Sequence, residues 1–264
     1  MTSLRQLEDR LRAWQSFHGV AGATRTLAAA QTLHWTELVR RAEAHLARCL
    51  TLRDAYAEAR VPAAAPCALV GLGSDLGLCG PFNRAVAERF MGERPRNPVA
   101  RAVVGQRLRI HVDDDVLTLP APTTFARVET LATELELLLT RAEPTRLVIV
   151  LAAGVEADGR PRVAVWDEPD APPSAATPPA PNVAELVDPG VTAAAVASLT
   201  RHARLVAALT RSAASEAEAR WRTMNRAYDA ADRRIGEQQR ELRKRRQELI
   251  TQEMLEARQG ARSR

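Results

Sequence analysis

Aromatic residues are scarce in this sequence, at 4% of 264 positions, although hydrophobic residues reach 46%. That hydrophobic fraction excludes wholesale disorder. The missing aromatic volume is replaced by alanine, in runs such as Ala28-Ala29-Ala30 and Ala193-Ala194-Ala195. Alanine is the best helix former, so the balance points to long, thin helices more than to a thick core. Lysine is almost absent: of 37 basic residues only Lys244 is a lysine, and the rest are arginine. Schiff-base chemistry or a phosphate-loop lysine would have to rest on Lys244, which stands in an arginine run without glycines. The three cysteines, Cys49, Cys67 and Cys79, are odd in number and unrelated in spacing. They offer no disulfide framework and no C-x-x-C metal site, and they fit a reducing compartment. No run of about 18 apolar residues is present, which excludes a membrane-spanning helix on sequence grounds. The opening MTSLRQLEDR carries acids and no apolar centre, so it reads as neither a secretory nor a transit peptide.

What is abundant is helical periodicity. Leu4, Leu7, Leu11 and Trp14 step by three and four, and Trp35, Val39, Ala42, Leu46, Cys49 and Tyr56 continue the same heptad register. Between them the register meets His18, Arg25 and Thr32, with Gly19 and Gly22 nearby. The pattern predicts a coiled-coil helix whose middle is poorly matched to a partner helix. Val61-Pro62 ends it, because proline cannot continue a helix interior.

A different grammar follows. Cys67–Leu72 and Arg146–Ala153 are apolar runs suited to buried strands. Phe82–Met91 and Thr123–Arg141 read as helices, the second with Leu131, Leu135 and Leu138 on one stripe. Val99–Val104 and Arg107–Val112 look like a strand pair turned at Gly105-Gln106, and Pro161–Trp166 like an edge strand. Strand, helix, strands, helix, strands predicts a small α/β domain of Rossmann-like type. Residues 169–181, rich in proline and alanine, read as a loop unable to pack a core.

After Asp188-Pro189, placed to cap and open a helix, comes the longest helical signal. Leu199, Ala203, Val206, Ala213, Ala217, Met224, Ala231, Ile235, Leu242 and Leu249 mark one stripe, uninterrupted by proline. A helix of that length spans roughly 100 Å at about 1.5 Å per residue. It needs a partner, and the first helix is the only candidate within the chain. The expected fold class is therefore α/β with long helical extensions. Residues 1–60 and 188–260 form an antiparallel two-helix coiled coil, residues 66–187 the α/β domain, and residues 261–264 a tail. Such a layout suits a strut or shaft.

Four features invite chemical readings. Gly71-Leu72-Gly73-Ser74-Asp75-Leu76-Gly77 joins a strand to a helix, but its spacing departs from the G-x-G-x-x-G of a dinucleotide loop, so a glycine turn is the expectation. Cys79 opens a helix, where a thiol can be acidified. A catalytic cysteine also needs a histidine base, and four of the five histidines fall on the coiled coil, so a packed cysteine is expected. Asp113-Asp114-Asp115 alternates sides on extended chain and forms no cation cage. The run 233–246 holds Arg233, Arg234, Arg240, Arg243, Lys244, Arg245 and Arg246 against Glu237 and Glu241. It admits a solvated helix face, a nucleic-acid contact through phosphates, or a contact with acidic protein loops. Interleaved aromatics that would stack bases are absent.

Three segments match one family in order. They are MTSLRQLEDRLRAW with VAGATRTLAAAQ, then SDLGLCGPFN at Ser74–Asn83, then ITQEMLE at Ile250–Glu256 after a helix carrying Met224, Ala227 and Arg246-Gln247. Together they resemble the gamma subunit of F-type rotary ATP synthases across essentially the whole chain. The resemblance implies a central rotor shaft that couples transmembrane flow of protons or sodium ions to ATP synthesis or hydrolysis. The implied partners are the alpha and beta subunits of the catalytic hexamer, the epsilon subunit and the ring of membrane c subunits. It implies no cofactor, no metal, no nucleic acid and no catalytic residue of its own. The implied location is peripheral, on the cytoplasmic face of a bacterial inner membrane. Carried over by position, Arg246, Gln247, Thr251 and Glu253 face the hexamer, with Arg10 and Arg12 as weaker members. Ser74, Asp75, Gly77, Leu78, Cys79, Gly80 and Asn83 form the rotor-foot motif. The chain departs from the family at Leu76, where arginine is usual, and at Pro81, where glycine is usual. Val20-Ala21-Gly22-Ala23-Thr24 stands for I-T-K-A-M, and Gln238 and Arg240 for apolar residues. These departures mark a divergent member, of the kind carried by an alternative ion-translocating ATPase operon. The competing readings are a coiled-coil scaffold or nucleic-acid-binding protein using helix 233–246 and, more remotely, a Rossmann-type oxidoreductase.

Overall fold

The structure is a computed structural model that describes residues 4–56, 65–93, 98–112, 116–140, 146–167 and 189–262. Val61-Pro62, Asp113–Asp115, the loop 169–181 and the capping Asp188 lie outside the described residues. The elements run α1 (Leu4–Tyr56), β1 (Cys67–Leu72), α2 (Phe82–Gly92), β2 (Ala100–Val104), α3 (Gln106–Arg109), β3 (Leu117–Leu119), α4 (Phe125–Thr140), β4 (Arg146–Val155), β5 (Pro161–Asp167) and α5 (Pro189–Arg262). The chain divides into two compact units, one of residues 1–27 with 222–264 and one of residues 28–221.

In the larger unit the sheet has the order β3-β2-β1-β4-β5. β3, β2, β1 and β4 are parallel, and β5 runs antiparallel at the edge. All six residues of β1 are buried, as are the first seven of β4, which is why both read as unbroken apolar runs. Side-chain alternation divides the core between the two faces. Ala68, Val70, Leu72, Leu147, Ile149 and Leu151 pack with Val128, Leu131 and Leu135 of α4 and with Leu205, Leu209 and Ala213 of α5. Cys67, Leu69, Val148 and Val150 pack on the opposite face with Phe82, Val86 and Phe90 of α2 and with Leu108. Thr124 caps α4 by accepting the amide of Arg127 at 3.3 Å. Within this unit α1 and α5 pair antiparallel: Arg211 is bonded to Glu43, and the Thr200 hydroxyl donates to the Cys49 carbonyl at 3.2 Å.

The expected strand over Arg107–Val112 is not formed. Gly105 has φ +106, and a Cβ there would lie 2.5 Å from the Ser74 amide nitrogen, so only glycine makes this turn. Asp75 then accepts the Gln106 amide at 2.7 Å and starts the helical turn α3, while the third parallel strand is Leu117–Leu119. Tertiary capping overrides the alternating pattern of RLRIHV.

In the smaller unit the helices again run antiparallel, with Arg246 bonded to Glu8 at 2.6 Å and Arg25 to Asn225 at 3.4 Å. Leu7, Ala21, Met224, Ala231 and Leu242 are buried between them. Part of the expected mismatch in the middle of α1 is filled: His18, Gly22 and Arg25 surround the Tyr228 ring of α5, while a Cβ at Gly19 would meet nothing within 4 Å.

Candidate functional site: the glycine loop and the paired helix ends

β1 and β4 point their C-terminal ends at the place where strand order reverses, the crevice in which open α/β sheets bind ligands. Here the chain fills that crevice itself. Ser212 of α5 donates to the Leu72 carbonyl at 3.3 Å, and the space among Leu72, Gly73, Pro122, Ala213 and Glu216 amounts to about 10 Å³. That is room for about one water and none for a nucleotide. Arg220 binds Glu216 one turn earlier on the helix, the Gly77 carbonyl at 3.3 Å and Gln31 of α1 at 3.5 Å. Burial, reinforced by nearby Asp75, pushes the Glu216 carboxyl above the usual range, against the opposing pull of Arg220. Sequence reasoning missed both residues. The available signal was an i,i+4 glutamate–arginine pair in an otherwise alanine-lined stripe.

The loop after β1 is tied down residue by residue. Asn83 accepts the Ser74 amide at 2.9 Å and donates to its hydroxyl at 2.9 Å, and that hydroxyl donates to the Leu76 carbonyl at 2.9 Å. Asp75 uses both carboxylate oxygens, one for Gln106 and one for the Ala121 amide at 2.9 Å. Leu78 and Gly80 take positive φ, 66° and 61°, which folds the loop back before α2. Thus Ser74, Asp75, Cys79 and Asn83 are brought together as a scaffold, and Leu76 and Leu78 are left 55% and 56% exposed on its crown. Beside the crown lies an open cleft of about 880 Å³ lined by Gly77, Leu78, Gly80, Pro81, Arg84, Arg107, Ile110 and His111.

Cys79 is buried between Ser74 and Asn83, with its sulfur 3.6 Å from the Asn83 amide nitrogen. Burial pushes its thiol up, the opposite of the acidification its place at a helix start could give. Less thiolate at neutral pH means slow alkylation. Native protein at pH 7 is expected to leave Cys79 unmodified by iodoacetamide, and denatured protein to modify it fully. Peptide mass mapping checks this, and rapid native labelling would contradict the packed thiol.

The residues expected to face a partner are scattered along exposed helix surface. Arg10, Gln247 and Glu253 are exposed, and Thr251 returns its hydroxyl to the Gln247 carbonyl at 2.8 Å. Arg12 pairs with Asp9 at 2.7 Å and Arg246 with Glu8. Ile250, Met254 and Leu255 are large apolar residues exposed on the same final turns of α5. In the basic run, Arg234 pairs with Glu237 and Arg245 with Glu248, each at 2.9 Å. Among the described residues, no group of three or more histidine, cysteine or acidic side chains could hold a metal, and no helix is long and apolar enough to cross a membrane.

The class the fold defines is α/β: a mixed five-stranded sheet whose ligand crevice is closed by α5. The comparisons give the family. A sequence model described as ATP synthase matches residues 3–263, and the chain belongs to that family, as an F1 gamma-type subunit. In fold it is similar to a chain of the rotor of Euglena gracilis mitochondrial ATP synthase in rotational state 1, at 14% identity and TM-score 0.68, covering 94% of this chain and 98% of that one. A chain of the Euglena gracilis OSCP/F1/c-ring assembly in rotational state 3 gives 14% identity and TM-score 0.66 over 96% and 91%. A chain of the Tetrahymena thermophila mitochondrial central stalk and c-ring gives 16% and 0.53 over 79% and 99%. No curated protein matches. With the family given, the scaffold and nucleic-acid readings of helix 233–246 are not supported.

Proposed function

We propose that this chain is the central rotating shaft of a rotary ATP synthase or ATPase, coupling transmembrane ion flow to ATP synthesis or hydrolysis on other subunits. The observation that carries the reading is the family match over residues 3–263, joined to a sheet crevice that α5 occupies. The chain makes and breaks no bond itself. Its work is a differential contact energy: as it turns, it favours one conformation of each surrounding catalytic subunit over another. The partners are the alpha and beta subunits, the epsilon subunit and the membrane c ring. The location is peripheral, on the cytoplasmic face of a bacterial inner membrane. Arg246, Gln247, Thr251 and Glu253, with Arg10 and Arg12, touch the hexamer. The loop crown at Gly77, Leu78 and Gly80, carried on the Ser74, Asp75, Cys79 and Asn83 scaffold, belongs to the foot. The domain division proposed is 1–60, 66–187 and 188–260.

Affinity purification of the tagged chain from its own cells is expected to recover two related nucleotide-binding subunits in equal amounts. The purified chain alone is expected to give no heat of ATP binding by calorimetry. Recovery without nucleotide-binding subunits, or a stoichiometric ATP site on the isolated chain, would overturn the reading.

A further inference from the structure

We propose that Tyr228 is a positioning residue: a knob that fixes the register of α1 against α5 in the smaller unit. Its ring centroid lies 3.9 Å from that of His18, and the Arg25 guanidinium carbon stands 4.1 Å from the Tyr228 ring centroid. His18, Ala21, Gly22 and Arg25 are spaced i, i+3, i+4 and i+7, the four corners of a knobs-into-holes socket. Gly22 makes the socket deep enough. A Cβ there would come within 3.1 Å of Tyr228 Cε2, tighter than an ordinary contact. Arg25 also reaches Asn225 at 3.4 Å, so the same corner is pinned by a polar tie.

Elsewhere in this unit Leu7, Met224, Ala231 and Leu242 are buried between the helices, and alanine among them packs closely while specifying register weakly. A slip of α5 by one heptad would offer Tyr228 a socket with Gln15 or Ala29 where Gly22 now stands, each carrying a Cβ that would crowd the ring. The Tyr228 ring in the Gly22 socket therefore favours one register over its neighbours, alongside the buried Leu7, Met224 and Leu242. That register brings Glu8 beside Arg246 at 2.6 Å. Its consequence for function rests on the proposed shaft reading: it sets the level of Arg10 and Arg12 relative to Arg246, Thr251 and Glu253.

The test uses the full chain with nitroxide labels at Arg5→Cys and Arg243→Cys, both exposed positions, while Cys49, Cys67 and Cys79 stay buried and unlabelled. Pulsed electron resonance is expected to give one narrow distance in the otherwise unmodified chain and in Tyr228→Phe. Tyr228→Ala, and independently Gly22→Leu, are expected to add a second, displaced maximum, from an axial slide of about 10 Å, one heptad at about 1.5 Å per residue. An unchanged narrow distance in Tyr228→Ala overturns the proposal. So does general broadening without a displaced maximum in both variants, since that is the mark of ordinary packing. In the assembled complex, Tyr228→Ala is expected to lower the ions moved per ATP. A displaced register with unaltered coupling would leave the register assignment standing and overturn the shaft reading.

Discussion

Arg146→Ala is expected to destabilise the larger unit by about 3–5 kcal/mol, because it strips a buried carboxylate of its partner. Arg146 and Asp167 join the start of β4 to the end of β5, with Nε 2.6 Å from Oδ1 and side chains only 6% and 4% exposed. The arginine fork grips both carboxylate oxygens, the geometry in which such pairs are strongest. Arg204 of α5 donates to the Asp167 carbonyl at 3.0 Å, so the strand end is held from two elements. A unit of this size loses about 2–4 °C of melting temperature per kcal/mol, so the midpoint should fall by roughly 10 °C. Arg146→Met with Asp167→Leu removes both charges, keeps the backbone carbonyl that Arg204 uses, and should recover most of the loss. Thermal unfolding followed by circular dichroism measures both variants. A fall under about 3 °C in the single variant would show that water or a neighbouring group replaces the guanidinium at little cost.

The parts of this fold legible in the sequence are those decided locally. Cys67–Leu72 and Arg146–Ala153 announce themselves because strands buried on both faces carry unbroken apolar runs. The two terminal helices announce themselves by period alone. What was not legible depends on partners distant in sequence. Asp75 looks like one polar residue of a glycine loop until its oxygens are found on the amides of Gln106 and Ala121, 31 and 46 positions away. Those bonds turn the strand-like RLRIHV into α3. Likewise Gly22 reads as a weak point in a heptad register until Tyr228 arrives from α5 to fill it. The motif Ser74–Asn83 was recognisable by resemblance, while the closing of the sheet crevice by Ser212, Glu216 and Arg220 was not, since those residues sit in a helix whose face toward the sheet no spacing rule assigns.

Replacing Arg246 and Gln247 together by alanine is expected to separate coupling from folding. The Arg246–Glu8 pair is exposed, 53% and 36% by side chain, and exposed ion pairs contribute only about 0–1 kcal/mol. The melting temperature of the isolated chain should therefore hardly move. In the complex the proposed role differs: each charge-assisted bond to a carboxylate of a surrounding subunit is worth about 1.5–3 kcal/mol, so their loss should slow ATP-driven ion pumping by roughly tenfold or more. Glu8→Ala is the control, because it breaks the intrachain pair and leaves Arg246 for the partner. Pumping and hydrolysis measured together on reconstituted complexes, with melting of the free chain, give three readouts for each variant. If Glu8→Ala lowers pumping as much as the double substitution, Arg246 acts by bracing α1 against α5, and the contact assigned to the hexamer is wrong. If only the double substitution lowers it, with assembly and melting intact, the guanidinium is spent on the neighbouring subunit. The exposed Ile250, Met254 and Leu255 lie on the next turns of the same helix.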